Sequence, residues 1–110
     1  MTGCLTDGMA GAMISRMKAT LLYRSKTVLS DGAIVEMVIW RVPRRLPGSA
    51  HDYKYSLFYG YAGERVIAYN NERGKGDHRH VGSVEENYHF SSVETLVADF
   101  LRDVQARRQR

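Results

Sequence analysis

The stretch from Tyr69 to His80 holds the densest group of side chains that could carry chemistry. It combines imidazole, cationic, carboxylate and amide groups with glycines, and it contains no aliphatic residue to bury. His78 and His80 are two residues apart, so on an extended chain both rings point to one side. Because imidazoles titrate near neutral pH, such a pair can act as general base and general acid. This stretch is therefore the first candidate for an active site.

The other residues of this stretch suit work on a phosphodiester. Gly74 and Gly76 can adopt positive φ, which lets successive N–H groups form a concavity for an anion. The cations Arg73, Lys75 and Arg79 can neutralise phosphate oxygens and developing transition-state charge. On RNA, one histidine would remove the 2′-hydroxyl proton and the other would protonate the leaving oxygen. This chemistry needs no metal or other cofactor.

Two other interpretations of the same residues stay open. Asp77, His78 and His80, with Glu72 or Glu36, could form a divalent-metal site for hydrolysis, although an H-x-H pair alone is weak evidence for one. A solvated surface loop can also be built from these polar types. The expectation from the residues is a metal-independent active site, with the metal site as the alternative.

Composition and charge limit the class of protein. The chain has 110 residues, 44% of them apolar, which suits one domain with a single core. No apolar run is long enough to span a bilayer and the N-terminus does not have the pattern of a secretory signal, so we expect a soluble, cytoplasmic protein. Cys4 is the only cysteine, which excludes an intramolecular disulfide. Residues 41–80 hold eight Lys/Arg against four Asp/Glu, a balance that favours a polyanionic partner.

Alternation predicts an antiparallel sheet. Residues 18–23 and 33–41 are typical of two strands joined by a turn at 30–32, and residues 53–61 and 65–69 of a hairpin. Tyr53, Tyr55 and Tyr59 share one face of that hairpin, which indicates packing or, alternatively, a platform for stacked bases. Lys54 lies on the opposite face, where it needs solvent or an anion. Glu36 lies among apolar neighbours and needs a cationic partner or a place in a site.

Residues 91–104 predict an amphipathic helix. Ser91 and Glu94 have the spacing of a capping box, and an apolar stripe with a 3.6-residue period follows. The stripe must cover one face of the sheet, so we predict an α+β fold: four to five antiparallel strands packed against one C-terminal helix. Residues 17–106 would form this domain. Residues 1–16 are expected to be a disordered or mis-annotated tail, with the functional chain starting at Met17, and residues 107–110 a basic tail.

Several stretches resemble the TumE family of bacterial toxins. They are Ile34-Val35-Glu36 with Trp40-Arg41-Val42-Pro43, Pro47-Gly48-Ser49 with His51, Tyr53-Lys54-Tyr55, and Asn71 to His80, of which the run G-K-G-D-H-R-H is the most specific. The resemblance spans about residues 17–103. The family pattern has an aspartate where this chain has Asn70, so an activity that depends on that carboxylate would be impaired here or would use Asp77.

The resemblance implies the toxin half of a type II toxin–antitoxin pair that is encoded beside a helix-turn-helix antitoxin and that stabilises plasmids or arrests growth. Toxins of this size are often ribonucleases that act on RNA, in agreement with the site residues. The expected proton-transfer groups are His78 and His80, with Asp77, Lys54 and Glu36 in support. The expected substrate contacts are Arg73, Lys75, Arg79, Arg41, Asn71, Gly74 and Gly76. The alternative is a non-enzymatic module whose basic loop docks on nucleic acid or on an acidic antitoxin tail.

Overall fold

The computed structural model describes residues 19–72 and 74–109 of the chain. One antiparallel sheet contains all the strands in sequential order, and the predicted α+β class is confirmed, with six strands where four to five were predicted. The predicted tail at 1–16 lies outside the described residues. The elements are β1 Thr20–Val28, β2 Ile34–Arg41, β3 Tyr53–Tyr61, β4 Glu64–Glu72, β5 Gly76–Val81, β6 Val84–Asn87 and α1 Val93–Arg108.

The two additional strands lie within and just after the stretch from Tyr69 to His80. β4 continues to Glu72, and β5 pairs with it from Gly76 onward, with Asn70 opposite His78. β6 then pairs with the other edge of β5. Both faces of β5 carry polar side chains, so the apolar alternation that marks a half-buried strand is missing here. Pairing with its neighbours on both sides makes this segment a strand.

The helix covers one face of the sheet, as its apolar stripe predicted. Leu96, Phe100 and Val104 are buried in the core. The tyrosines of β3 lie on this same face, and Tyr55 and Tyr59 are buried, which favours the packing interpretation over a base-stacking platform. The core residues contributed by the sheet include Met37, Ile39, Tyr55, Leu57, Tyr59, Ile67 and Tyr69.

Both ends of α1 are fixed by side chains. The N-cap is Ser92, whose Oγ accepts from the Thr95 N–H at 3.1 Å, so the cap lies one residue beyond the predicted Ser91. At the other end, Arg108 donates to Asp31 at 3.2 Å and to the Tyr59 hydroxyl at 3.1 Å. The helix therefore extends beyond residue 106. Across the described ranges, no helix combines the length and apolar character needed to cross a bilayer.

Candidate functional site

Strand β5 divides the predicted active-site residues between the two faces of the sheet. Asp77 and Arg79 point to the helix side, where they lie opposite Asn71 and Tyr69 of β4. His78 and His80 point to the other side, which we call the open face because no described helix covers it. Asp77 therefore cannot share one metal ion with the two histidines. Within residues 19–72 and 74–109, no three His, Cys, Asp or Glu side chains form a group able to hold a metal.

The open face brings the two histidines together around one carboxylate. His78 Nδ1 lies 3.3 Å from Glu85 Oε2, and His80 Nε2 lies 4.0 Å from the same oxygen. Both histidines are buried, with 6% and 8% of their surfaces exposed. Burial lowers the pKa of His80 below its usual value, and the nearby charge of Arg65 lowers it further. His80 is therefore neutral at pH 7 and able to accept a proton.

Two buried polar atoms beside these rings lack partners. Asn70 Oδ1 and His78 Nε2 have no hydrogen-bond partner among the described residues. Asn70 and His78 lie directly opposite each other on β4 and β5. Buried polar groups are nearly always hydrogen-bonded, so a pair of unsatisfied atoms indicates a place for water or for a ligand. The open face is thus a candidate site for proton transfer, with two buried polar atoms that lack a partner among the described residues.

The lowered pKa of His80 predicts acid sensitivity. The folded state binds a proton at His80 less readily than the unfolded chain, where the pKa is about 6.5. Stability is therefore fully present above that value and falls as the pH drops below it, because the unfolded state takes up more protons. Urea titrations at pH 7.5 and 5.5 should show a lower midpoint at the lower pH. The difference between the two midpoints should shrink in His80→Asn, and an unchanged difference would contradict the assignment.

Lys54 and Glu36 share the open face with the histidines but lie apart from them. Lys54 is exposed on β3 and pairs with Trp40 in the ladder. Glu36 aligns with Phe58, Ala68 and His80 across neighbouring strands, which places it three strands, or about 14 Å, from His80. Lys26, directly opposite Glu36 on β1, is the cation nearest to it in the register. Lys54 is therefore accessible to an anion at the surface, whereas Glu36 is too distant to act together with the two histidines.

On the helix side, Asp77 is the centre of a second polar cluster. Its Oδ2 accepts from Tyr55 Oη at 2.6 Å and bonds to His51 Nε2 at 2.8 Å. His51 Nδ1 accepts from the Tyr53 N–H at 3.1 Å, so the proton of the neutral ring is assigned to Nε2 and the ring donates to Asp77. Burial, followed by the Asp77 carboxylate, raises the pKa of Tyr55, which keeps its hydroxyl a donor. The carboxylate is thus held by two fixed donors.

Asp77 opens into a cleft of about 320 Å³, which we call the Asp77 cleft. One wall comes from the loop between β2 and β3, where the His51 ring stacks on Phe90 with 3.9 Å between centroids. The other side is the turn between β4 and β5, which contains Lys75. The residues that line the cleft are Gly48, Ala50, His51, Lys75, Asp77, Asn87, Tyr88, His89 and Phe90.

Glycines allow the two loops beside the cleft to touch. Gly74 and Gly76 have φ of 81° and 80°, as the phosphate-loop prediction required. A Cβ at Gly48 would lie 3.2 Å from the Gly74 carbonyl carbon. However, the Gly74 N–H donates to the Pro47 carbonyl and the Lys75 N–H to the Glu72 carbonyl. The Gly74 amide therefore holds the two loops together, the Lys75 amide closes the turn between β4 and β5, and neither faces an anion.

The remaining predicted substrate contacts are distributed over the sheet. Arg79 Nε donates to Asp103 at 2.9 Å and its guanidinium also binds Glu86, so it links β5 to α1 and β6. The Lys75 ammonium is half-exposed and lies 3.7 Å from the Glu72 carboxylate. Arg41 is exposed at the end of β2. Arg73 lies outside the described residues.

Asn71 bridges two strands. Its Oδ1 accepts from the Tyr55 N–H at 3.0 Å, and its Nδ2 donates to the Tyr53 carbonyl at 2.7 Å. Since Asn71 is 1% exposed, we expect Asn71→Ala to lower the free energy of unfolding by about 2 kcal/mol, because two buried backbone groups lose their partners. Urea unfolding measures this loss. A variant of full stability that binds RNA more weakly would instead make Asn71 a substrate contact.

Sequence reasoning did not find His51, Tyr55 and Glu85 as parts of these clusters. His51 is 26 residues from Asp77, and only the pairing of β3, β4 and β5 brings them together. The available signal was that Pro47–His51 and Gly74–His80 carry the family resemblance. Glu85 lies on β6, which has no apolar pattern to reveal it.

Comparisons with known proteins identify one family. A family model described as "Toxin TumE" matches residues 15–108, most of the chain. No curated protein and no solved structure matches the chain. A toxin family implies an antitoxin partner.

Proposed function

Because the chain belongs to the TumE toxin family, we propose that it is the toxin of a type II toxin–antitoxin pair and that it arrests growth by cleaving RNA. The observation that carries this proposal is the pairing of His78 and His80 around Glu85 on the open face. The antitoxin is proposed to be a helix-turn-helix protein. The proposed site of action is the cytoplasm, where the toxin meets its RNA.

The proposed reaction needs one base and one acid. His80, kept neutral by burial and by Arg65, takes the proton of the ribose 2′-hydroxyl. The 2′-oxygen attacks the adjacent phosphorus, and the bond from phosphorus to the 5′-oxygen breaks. His78, whose Nδ1 lies beside Glu85, acts as the acid and gives a proton to that leaving oxygen. The products are a 2′,3′-cyclic phosphate and a free 5′-hydroxyl.

Other open-face groups have supporting roles in this proposal. Lys54 is exposed and is assigned to a phosphate of the bound strand. Arg65, which lies close enough to His80 to influence its charge state, stabilises charge on the phosphoryl oxygens. The unpartnered His78 Nε2 and Asn70 Oδ1 are buried, so the His78 ring must turn outward when RNA binds for Nε2 to donate to the 5′-oxygen. Phe58 and Trp40 are partly exposed on the same face and can pack against bases.

The experiment is incubation of the purified protein with total RNA, with and without EDTA, followed by analysis of the termini. We expect cleavage that EDTA does not prevent, with cyclic phosphate and 5′-hydroxyl ends. Cleavage that requires a divalent cation and leaves 5′-phosphates would favour the metal-dependent alternative. Bound but intact RNA, or growth arrest without RNA binding, would support the non-enzymatic module.

A further inference from the structure

The Asp77 cleft lies on the helix side of β5, so the proposed proton transfers on the open face do not use it. We propose that this cleft binds one unstacked nucleotide of an RNA and selects a base that carries an exocyclic amino group. The inference rests on the proposed RNA substrate and adds base recognition to it. Its two parts are the fixed carboxylate of Asp77 and the aromatic walls around it.

The carboxylate has one oxygen to offer a ligand. Tyr55 and His51 both bond to Oδ2, and no described residue donates to Oδ1. The Asp77 side chain is only 10% exposed, so its direction is set by these two donors. An ionised carboxylate only accepts hydrogen bonds, so the ligand must bring an N–H or O–H group. The bond from the Tyr53 N–H keeps the His51 ring from turning away.

The size and walls of the cleft suit a nucleotide. A volume of about 320 Å³ lies within the range of small-molecule sites. Tyr88, His89 and Phe90 form a run of rings along the cleft, and unstacked bases are commonly held on such rings. Lys75 lies at the rim with a half-exposed ammonium group that can reach the phosphate. The carboxylate repels that phosphate, so the base, rather than the phosphate, points toward Asp77.

The chemistry of the bases gives the preference. Asp and Glu side chains accept hydrogen bonds from base amino groups such as cytosine N4. Uracil lacks an amino group, and its ring N–H lies between two carbonyl oxygens that repel a carboxylate. Cytosine, adenine and guanine should therefore bind more tightly than uracil.

The test titrates the full chain carrying His78→Ala and His80→Ala with CMP, AMP, GMP and UMP, with affinities measured by NMR chemical-shift changes. These substitutions lie on the open face, so they leave the residues of the cleft unchanged while removing both imidazoles of the proposed proton-transfer site. We expect the three amino-bearing nucleotides to bind about tenfold more tightly than UMP. Added Asp77→Asn should remove this preference. The matched control is Asp52→Asn. Asp52 is next to His51 in the sequence and forms a salt bridge with Arg45, and this variant should retain the base preference.

Two further variants separate base selection from folding and from phosphate binding. Phe90→Leu should weaken the binding of all four nucleotides several-fold without changing their order of affinity, because a wall of the cleft is lost. Lys75→Gln should have the same effect, because the contact with the phosphate is lost. Equal affinity for all four nucleotides, or a preference that survives Asp77→Asn, would overturn the inference. Loss of antitoxin binding alone in Asp77→Asn would assign the cleft to the protein partner and also overturn it. A base preference in a protein that never cleaves RNA would contradict only the proposed function.

Discussion

Replacing both His78 and His80 with alanine is expected to lower RNA cleavage by at least about 10³-fold, because general acid and general base catalysis each contribute about 10²–10⁴-fold. The toxin should no longer arrest growth, yet it should still bind its antitoxin. The rate of cleavage of a defined RNA by the purified variant measures the effect. The two histidines share Glu85, so each single variant should lose most of the rate and the two losses should not add.

Matched variants show whether proton transfer is the cause. His78→Gln with His80→Gln keeps polar side chains at both positions but cannot exchange protons near neutral pH, so it should be as inactive as the alanine pair. Gln105→Ala, an exposed position on the helix, should cleave at the normal rate. If the glutamine pair retains more than about a tenth of the rate, the histidines bind substrate and do not transfer protons.

Asp103→Ala is expected to lower the free energy of unfolding by about 3 kcal/mol. Asp103 is 13% exposed at its side chain and accepts from Arg79 Nε and from the Tyr69 hydroxyl, so it connects α1 to β4 and β5. The Asp103 carboxylate keeps the pKa of Arg79 above its usual value. Removal of the carboxylate leaves a partly buried guanidinium and a buried phenol without their partner. Arg79 is 31% exposed, so water limits the loss.

Asp99→Ala provides the control for this variant. Asp99 lies one turn earlier on the same helix and accepts from the Tyr88 hydroxyl at 2.7 Å, while Arg102, its ion-pair partner, is exposed. Asp99→Ala should lower the free energy of unfolding by about 1 kcal/mol. Urea denaturation followed by circular dichroism compares the two. Equal losses would mean that Arg79 is free to bind substrate, as its sequence position suggested.

The parts of the fold that could be predicted are those with apolar periodicity. The stripe of Leu96, Phe100 and Val104 identified the helix and showed that it must cover one face of the sheet, and the alternation in 33–41 and 53–61 identified two of the strands. β5 and β6 could not be predicted in the same way. Their residues are polar on both faces or exposed, so hydrogen bonding determines their conformation, of β5 to β4 and of β6 to β5.

The candidate site was predicted only as far as local spacing extends. The spacing of His78 and His80 placed both rings on one face, which the structure shows. The same alternation separates Asp77 from them, so the metal site that grouped all three residues conflicts with the extended chain that joins the histidines. His51, the partner of Asp77, and Glu85, the partner of His78, lie in other parts of the chain. Without the register of the sheet, the sequence does not show that these residues are in contact.

Because side chains alternate along β5, the length of the turn between β4 and β5 determines which face of the sheet each β5 side chain occupies. Deleting one residue between Glu72 and Gly76 would shift β5 by one position against β4, and every β5 side chain would move to the opposite side of the sheet. Imidazoles would then face the helix, and a carboxylate and a guanidinium would face outward. A change of one residue in the length of this turn is therefore incompatible with either polar cluster, and relatives that keep both should not differ by one residue here.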